Sequence, residues 1–541
     1  MKYTAHVDTF ARDNLPPRAL WPELVFARPE LAYSARLNCA AELLDKPVTR
    51  GRGHRVALRA PDGACTYTQL LAQANRLANV LVKEMGLRPG NRVLLRGPNN
   101  PMMAAAWFAV MKAGGVCVAT MPLLRAKELT EIISKAEITH ALCDKRLEAD
   151  LAAALPALPS LKHVKYWYDD APDSLDALAL RQPLTFGTVP TAADDVALIA
   201  FTSGTTGKPK GTLHFHRDVI AMCDCFPRSI LEVRKDDIFC GTPPLAFTFG
   251  LGGMLCFPLR FGASSVLVER LVPETLLETI QRFKATVCFT SPVMFRAMSG
   301  IAKNYNLSSL RKCVSAGEAL PDATRQLFKG ATGIEIIDGI GSTEMIHIFI
   351  SHTPERAKRG ATGYAIPGYS AAVLDEDGDA CPPGKVGRLA VKGPTGCRYL
   401  ADERQADYVQ NGWNLTGDAY LMDEDGYFFY QARTDDMIIS AGYNIAGPEV
   451  EGALLAHPAV AECGVIGAPD PERGTIVKAF VVLKKEFLRN NETVKALQDH
   501  VKRAIAPYKY PRAIEFVDVL PRTETGKLQR FKLRTTGGEA P

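Results

Sequence analysis

Ten residues, Thr202-Ser203-Gly204-Thr205-Thr206-Gly207-Lys208-Pro209-Lys210-Gly211, gather four hydroxyls, three glycines and two lysines. They follow the apolar run Val196-Ala197-Leu198-Ile199-Ala200-Phe201. Glycines let backbone N–H groups close around an anion, hydroxyls add donors, and ammonium groups add positive charge. That is the chemistry of a polyphosphate cradle. It is not a Walker A loop, which needs four residues between its first Gly and a Gly-Lys pair followed by Ser or Thr. Here two residues separate Gly204 from Gly207, and Pro209 follows Lys208. Taken alone, the stretch leaves a polar surface loop as the lesser alternative, so the rest of the chain must decide.

A second constellation is a decoy. His214, His216, Cys223 and Cys225 form an H-x-H…C-x-C array that can be drawn as a zinc site. The spacings are tighter than the usual C-x₂₋₄-C, and the residues fall where a helix is expected after the cradle. Helical neighbours two apart point to different sides, so no zinc is expected.

The elements that must position the cradle lie on both sides of it. From Arg55 to Met121 short apolar strands alternate with helices. Thr66-Tyr67-Thr68 is placed to cap a helix through Leu70–Ala78. Val93-Leu94-Leu95 reads as a strand, followed by a helix near Ala104–Ala113 that ends at Gly114-Gly115. Val116–Ala119 is the next strand, and the rhythm returns at Ile138–Cys143, Ser265–Glu269, Thr286–Thr290 and Lys312–Ser315. It predicts a mostly parallel sheet covered on both faces. Residues 1–50 are expected to be an irregular lead-in, and Pro156–Leu184 a surface excursion. Ile238–Leu259 carries no charge but holds Pro243, Pro244, Pro258, Gly241, Gly250, Gly252 and Gly253. A lipid-exposed helix tolerates few such breaks, so this segment is expected to be buried interior and a candidate pocket wall.

After about residue 360, Gly- and Asp-punctuated hairpin signatures appear, as in Ala372–Gly378 and Asp423–Phe429. They predict a smaller β region appended to the sheet domain. Beyond Asp436 a helix near Pro448–Leu455, a strand at Ile476–Leu483, a helix at Thr493–Ile505 and a strand at Ala513–Leu520 suit a compact α+β domain.

At 541 residues the chain is too long for one core. The 64 Lys and Arg against 59 Asp and Glu leave a net charge of +5, too small and scattered to predict nucleic-acid binding. Met1–Asp8 has no apolar run behind Lys2, and the thirteen cysteines lack regular spacing. The expectation is a cytoplasmic protein with free thiols and no membrane attachment.

The cradle resembles the phosphate loop of the adenylate-forming superfamily of acyl-CoA synthetases, luciferases and peptide-synthetase adenylation domains. Further motifs fall in that family's order: Ser315-Ala316-Gly317-Glu318, Asp338-Gly339-Ile340-Gly341-Ser342-Thr343-Glu344, Thr416-Gly417-Asp418, Arg433-Thr434-Asp435-Asp436 and Pro521-Arg522-Thr523-Glu524-Thr525-Gly526-Lys527. The match covers nearly the whole chain. It implies an α/β fold with a large N-terminal ATP- and acid-binding domain (1–434) of mostly parallel sheets covered by helices, carrying the β region. A small mobile C-terminal α+β domain (435–541) would be hinged at Asp435.

The resemblance also implies a two-step reaction. A carboxylate attacks the α-phosphorus of ATP with loss of pyrophosphate, and the thiol of coenzyme A then displaces AMP. Thr202, Ser203, Gly204, Thr205, Thr206 and Lys210 would hold the phosphates. Glu344 would bind Mg²⁺, with Thr343 touching the α-phosphate. Asp418 would take the ribose hydroxyls, and Arg433 ribose or phosphate oxygens. Gly317 and Glu318 would border adenine, with Asp338 and Gly339 offering backbone groups to its amino edge. Where the family often has an aromatic residue, this chain has Ile340. Lys527 would stand between the attacking carboxylate and the α-phosphate. Gly442 would leave room for the pantetheine arm.

Within the superfamily the resemblance is to the aryl-CoA ligase branch. Leu245–Gly252 and Gly341–Phe349 are similar to segments of benzoate–CoA ligases. The opening Tyr3–Phe10, with Leu15-Pro16-Pro17, is more similar to 2-aminobenzoate–CoA ligases. Thr248-Phe249 replaces the Ala-Tyr of the benzoate enzymes. The Thr248 hydroxyl either faces an ortho substituent or is simply part of a wall. Phe247, Phe249, Ala316, Gly341, His347 and Ile348 are expected to line a flat, mostly apolar pocket. The expected acid is a small aromatic one, 2-aminobenzoate first, with benzoate or another aryl or short acyl acid as the alternative. A carrier-protein thiol in place of coenzyme A stays open. A kinase or ATPase would give ADP, and a non-catalytic binder would not need Glu344 and Lys527.

Overall fold

A capping box starts the first long helix. Thr66 Oγ1 accepts from the Gln69 N–H at 3.2 Å, and Gln69 Oε1 accepts from the Thr66 N–H at 2.8 Å. Otherwise unpaired N–H groups at the helix start are thereby satisfied, and the helix runs Tyr67–Asn79. Its packing partner, Pro101–Lys112, begins on Asn100, whose Oδ1 accepts from the Met103 N–H. Strands Arg92–Arg96, Val116–Thr120 and His140–Asp144 are buried almost throughout, as parallel strands covered on both faces must be.

The computed structural model describes residues 3–202, 209–433, 436–440, 443–470, 474–523 and 527–536. Among these, the strand–helix rhythm resolves into two sheets rather than one. The first, six-stranded, has the order His163–Trp167, His140–Asp144, Arg92–Arg96, Val116–Thr120, Val196–Thr202 and Lys210–Phe215. Only its last pairing is antiparallel. The second, nine-stranded, has Lys312–Ser315, Val287–Thr290 and Ile238–Gly241 as neighbours at its centre, all parallel. On one side of them come Ser264–Val266, Val56–Ala60 and Gly63–Thr66, and on the other Ile336–Gly341, Ile348–Ser351 and Tyr364–Ala365. The largest core joins the two sheets through helices Tyr67–Asn79, Pro101–Lys112 and His216–Phe226. Separate cores cover their outer faces.

Pro156–Leu184 is more than a surface excursion. His163–Trp167 is an edge strand, and Trp167 is fully buried against Gly97, where a Cβ would come within 2.4 Å of the indole. The lead-in likewise holds helical turns from Ala41 to Arg52, with Leu43 and Leu44 buried. Ile238–Leu259 is buried as expected, a strand followed by a helical run. All thirteen cysteines are free thiols. Among the described residues no helix is long and apolar enough to cross a membrane.

The β region is the expected antiparallel sheet. Ser370–Leu374, Gly387–Lys392 and Trp413–Met422 pair in succession, with Phe428–Arg433 beside the last. The C-terminal part has its own core around Val460–Asp470, Gly474–Leu483 and Ala513–Phe516, packed by helices Gly447–Leu455 and Asn491–Ala504. The first strand of its three-stranded sheet, Val460–Asp470, was not legible in the sequence.

Candidate active site

Three parallel strands, Ile238–Gly241, Lys312–Ser315 and Ile336–Gly341, release loops at their carboxyl ends. Those loops carry Phe247–Phe249, Ala316–Glu318 and Ser342–Glu344. The carboxyl edge of an open α/β sheet is where ligands bind, because strand ends and loops converge there on a crevice. The six-stranded sheet contributes the hairpin in which Thr202 pairs with Lys210. Ser203, Gly204, Thr205 and Thr206 lie outside the described residues, as do Asp435 and Gly442.

Lys210 Nζ stands 5.2 Å from the centroid of the Tyr399 ring. Tyr399 Oη donates to Glu344 Oε1 at 2.7 Å. The neighbouring Thr343 carbonyl accepts from His214 Nε2, also at 2.7 Å. A carboxylate with one oxygen held by a phenol is a hard-oxygen ligand of the kind Mg²⁺ takes beside phosphate oxygens. The donor set fits the metal. His214 and Tyr399 had no place among the expected site residues. Among the described residues no group of His, Cys, Asp and Glu side chains is arranged to hold a metal by itself. The H-x-H…C-x-C array does not converge: His214 lies on the strand Lys210–Phe215, not on the expected helix, and serves the Thr343 turn, while His216 opens the helix and its Nδ1 meets Cys39.

The β region supplies an ion pair. Asp418 and Arg433 are register partners on adjacent strands, and Arg433 Nη1 donates to Asp418 Oδ1 at 3.0 Å. Gly417 has φ +74°, and a Cβ there would reach within 3.0 Å of Arg433 Nη2, so a side chain would be both strained and crowded. Burial raises the Asp418 carboxyl's pKa, and Arg433 opposes the rise. Asp338 is buried as well, and desolvation pushes its carboxyl up to about 8. Its N–H donates to His352 Nε2 at 3.1 Å and its carbonyl accepts from Ser351 Oγ at 2.6 Å. The backbone groups expected to meet adenine at Asp338 are thus already engaged within the sheet.

The C-terminal part closes over this crevice. Arg522 Nη1 donates to Glu318 Oε1 at 3.3 Å, and the Leu528 N–H donates to the same oxygen at 3.2 Å. A Cβ on Gly317 would stand 3.6 Å from Lys527 Cε. Lys527 is open to solvent along the cleft, yet the cleft walls desolvate its ammonium and lower its pKa. Glu318, Asp418 and Glu344 oppose that shift and Arg433 adds to it, so all four share the space around Lys527. Arg296 crosses between the two parts, donating to the Ala461, Leu455 and Val460 carbonyls at 3.1 to 3.2 Å.

The expected pocket residues also converge. Thr248 is buried at the start of the helical turn Thr248–Gly250, with Phe247 before it. Asn99 fixes this loop from below, donating to the Pro243 carbonyl at 2.9 Å and accepting from the Leu245 N–H at 2.8 Å. His347 lies 5.6 Å from Phe249, 4.4 Å from Phe257 and 5.9 Å from Phe226, ring centre to ring centre. Phe257 and Phe226 were not read from the sequence, where each is one more core aromatic. Gly341 pairs with Ile348, and Ala316 follows the strand Lys312–Ser315. Burial drives the imidazole down to about 3, so His347 is neutral. Its Nε2 faces the Phe249 carbonyl at 3.4 Å and is therefore the protonated nitrogen. Nδ1 is a buried acceptor without a hydrogen-bond partner among the described residues.

Cations, carboxylates and an aromatic cage thus meet at one crevice, an arrangement that can hold a polyphosphate beside a flat acid. The chain matches the AMP-binding enzyme family over residues 45–399 and the AMP-binding enzyme C-terminal domain over 449–527. It is 36% identical to a benzoate–CoA ligase of Thauera aromatica, covering 94% of this chain and 97% of that one. An anthranilate CoA ligase solved in complex with anthranoyl-AMP superposes with a TM-score of 0.90 at 34% identity, covering 94% and 99% of the two chains. A benzoate CoA ligase from Burkholderia xenovorans LB400 superposes at 0.83 and 32% identity, covering 92% and 99%.

Proposed function

The chain belongs to the AMP-binding enzyme family, as an AMP-forming acid–thiol ligase of aromatic acids, and from that premise we infer that its acid is 2-aminobenzoate. ATP, an aromatic carboxylic acid and coenzyme A are its substrates. The observation that carries the finer reading is His347 Nδ1, a neutral acceptor buried in an aromatic cage. The ortho amino group of 2-aminobenzoate brings a donor, whereas benzoate leaves the acceptor unpaired. The similarity to an anthranilate CoA ligase, anthranilate being 2-aminobenzoate, points the same way.

In this reading Thr202, Ser203, Gly204, Thr205, Thr206 and Lys210 grip the phosphates, and Thr343 meets the α-phosphate. Glu344 holds Mg²⁺, which when bound offsets the phosphates' negative charge. Asp418 and Arg433 bind the ribose, Gly317 and Glu318 border the adenine, and Asp338 and Gly339 lie at its rim. Phe247, Thr248, Phe249, Ala316, Gly341, His347 and Ile348 receive the ring. Lys527 steadies the carboxylate as it attacks phosphorus and pyrophosphate leaves. Residues 435–541 then turn about Asp435, withdrawing Lys527 and bringing Gly442 to the channel through which the thiol attacks the acyl carbon and AMP departs.

An unsatisfied buried acceptor costs about 1–3 kcal/mol. The kcat/KM for 2-aminobenzoate is therefore expected to exceed that for benzoate by about fivefold to 100-fold. His347→Leu should erase most of that ratio. Parity between the two acids in the wild-type protein would contradict the assignment.

Arg296 offers a second test, of the closed arrangement. Its hydrogen bonds to Ala461, Leu455 and Val460 contribute roughly 0.5–1.5 kcal/mol each. Arg296→Ala is expected to slow pyrophosphate release at least about fivefold and leave thioester formation from supplied aryl-adenylate unslowed. A uniform fall in both steps would mean that the contact matters only for stability.

A further inference from the structure

Two side chains tie the strand Lys210–Phe215 to the turn Ser342–Glu344. Tyr399 Oη donates to Glu344 Oε1, and His214 Nε2 donates to the Thr343 carbonyl, each at 2.7 Å. Their roots are fixed to one another by backbone pairing. The Leu213 N–H donates to the Arg398 carbonyl at 2.7 Å, and the Leu400 N–H to the Gly211 carbonyl at 2.8 Å. Thr212 and Tyr399 form an antiparallel bridge between these bonds. Behind the strand Arg398 pairs with Asp218, both fully buried, and Asp218 Oδ2 lies 3.8 Å from His214 Nδ1. Asp218 also accepts from the Phe215 N–H at 3.0 Å, which closes the end of the strand.

We propose that Tyr399 and His214 are positioning residues that preset the Glu344 carboxylate and Thr343 against the phosphate-gripping strand. The proposal rests on the adenylation reading above. A carboxylate on a flexible side chain samples several rotamers, and a cation held between it and a phosphate needs one of them. The phenol on Oε1 holds the carboxylate in one orientation, the one in which Glu344 would meet a bound Mg²⁺. The Tyr399 ring also lies under Lys210, so the same side chain registers the phosphate lysine against the metal carboxylate. His214 does the equivalent for the backbone of Thr343, and the buried Arg398–Asp218 pair keeps the base of the arrangement from shifting.

Groups that orient a metal-binding carboxylate are typically worth about 10- to 100-fold in metal affinity or activity. The test uses the full-length protein with a single hydroxyl removed. Tyr399→Phe is expected to raise the Mg²⁺ concentration for half-maximal pyrophosphate release by about tenfold. Calorimetric titration with ATP should show weakened binding with Mg²⁺ present and unchanged binding in EDTA. Thioester formation from supplied aryl-adenylate should match the wild type. His214→Ala is expected to slow pyrophosphate release alone, and His214→Gln, which keeps a donor, to recover part of the loss. An unaltered Mg²⁺ requirement in Tyr399→Phe, or equal losses in both half-reactions for either residue, overturns the proposal while the adenylation reading stands. A wild-type protein that releases no pyrophosphate overturns both.

Discussion

Lys527→Ala is expected to slow pyrophosphate release by ~10²-fold or more, judged from the loss of comparable electrostatic stabilisers, and to leave thioester formation from supplied aryl-adenylate largely intact. The reasoning starts from two anions that must meet, the acid's carboxylate and the α-phosphate. A cation between them offsets their repulsion and the charge that develops at phosphorus. Lys527 lies beside Gly317, and its ammonium shares its space with Glu318, Arg433, Asp418 and Glu344. Desolvation lowers its pKa, so it loses its charge at a lower pH than an ordinary lysine. Pyrophosphate release should accordingly fall as pH rises, from below the usual lysine range, and Lys527→Arg should move that fall upward. Equal losses in the two half-reactions of Lys527→Ala would sink the role.

The second large effect is at Gly252. A Cβ there would come within 2.4 Å of His347 Cδ2, 2.7 Å of its Nε2 and 3.0 Å of Phe257 Cζ. His347 is hemmed in by Phe226, Phe249 and Phe257, so the added methyl must drive the imidazole from its place. Overpacking of this kind costs about 1–3 kcal/mol. Gly252→Ala should lower kcat/KM for aromatic acids by about tenfold or more and leave the KM for ATP unchanged. Steady-state kinetics with each substrate varied in turn reads the difference. Unchanged use of aromatic acids would place His347 away from the acid.

The sequence announced its chemistry where types and spacing are local, and stayed silent where tertiary contacts decide. The stretch from Thr202 to Gly211 reads as an anion grip in the sequence because hydroxyls, glycines and lysines are crowded together, and of it only Thr202, Pro209, Lys210 and Gly211 are among the described residues. The strands Val116–Thr120 and Lys312–Ser315 were readable from short apolar runs. Glu344, Asp418 and Lys527 lie far apart in the chain, and only the resemblance linked them before the fold did. Tyr399 and Asn99 carried no signal, since a tyrosine after arginine or an asparagine before a helix has many uses. His214 carried a misleading one. Its neighbour two residues on suggested a metal, whereas its strand aims it at a carbonyl. Arg296 was invisible for a similar reason, because its partners are backbone carbonyls of a segment more than 150 residues away. The split into two sheets also escaped a reading by rhythm, which sees strands but not which of them pair.

The most direct test is to incubate the protein with ATP, Mg²⁺ and 2-aminobenzoate, first without and then with coenzyme A, and to follow every phosphate product. The expected result is a burst of pyrophosphate of one equivalent per active site with aryl-adenylate retained. Coenzyme A should then give continuous turnover with AMP and aryl-CoA in equal amounts. Release of ADP and inorganic phosphate, or turnover indifferent to the acid, would contradict it.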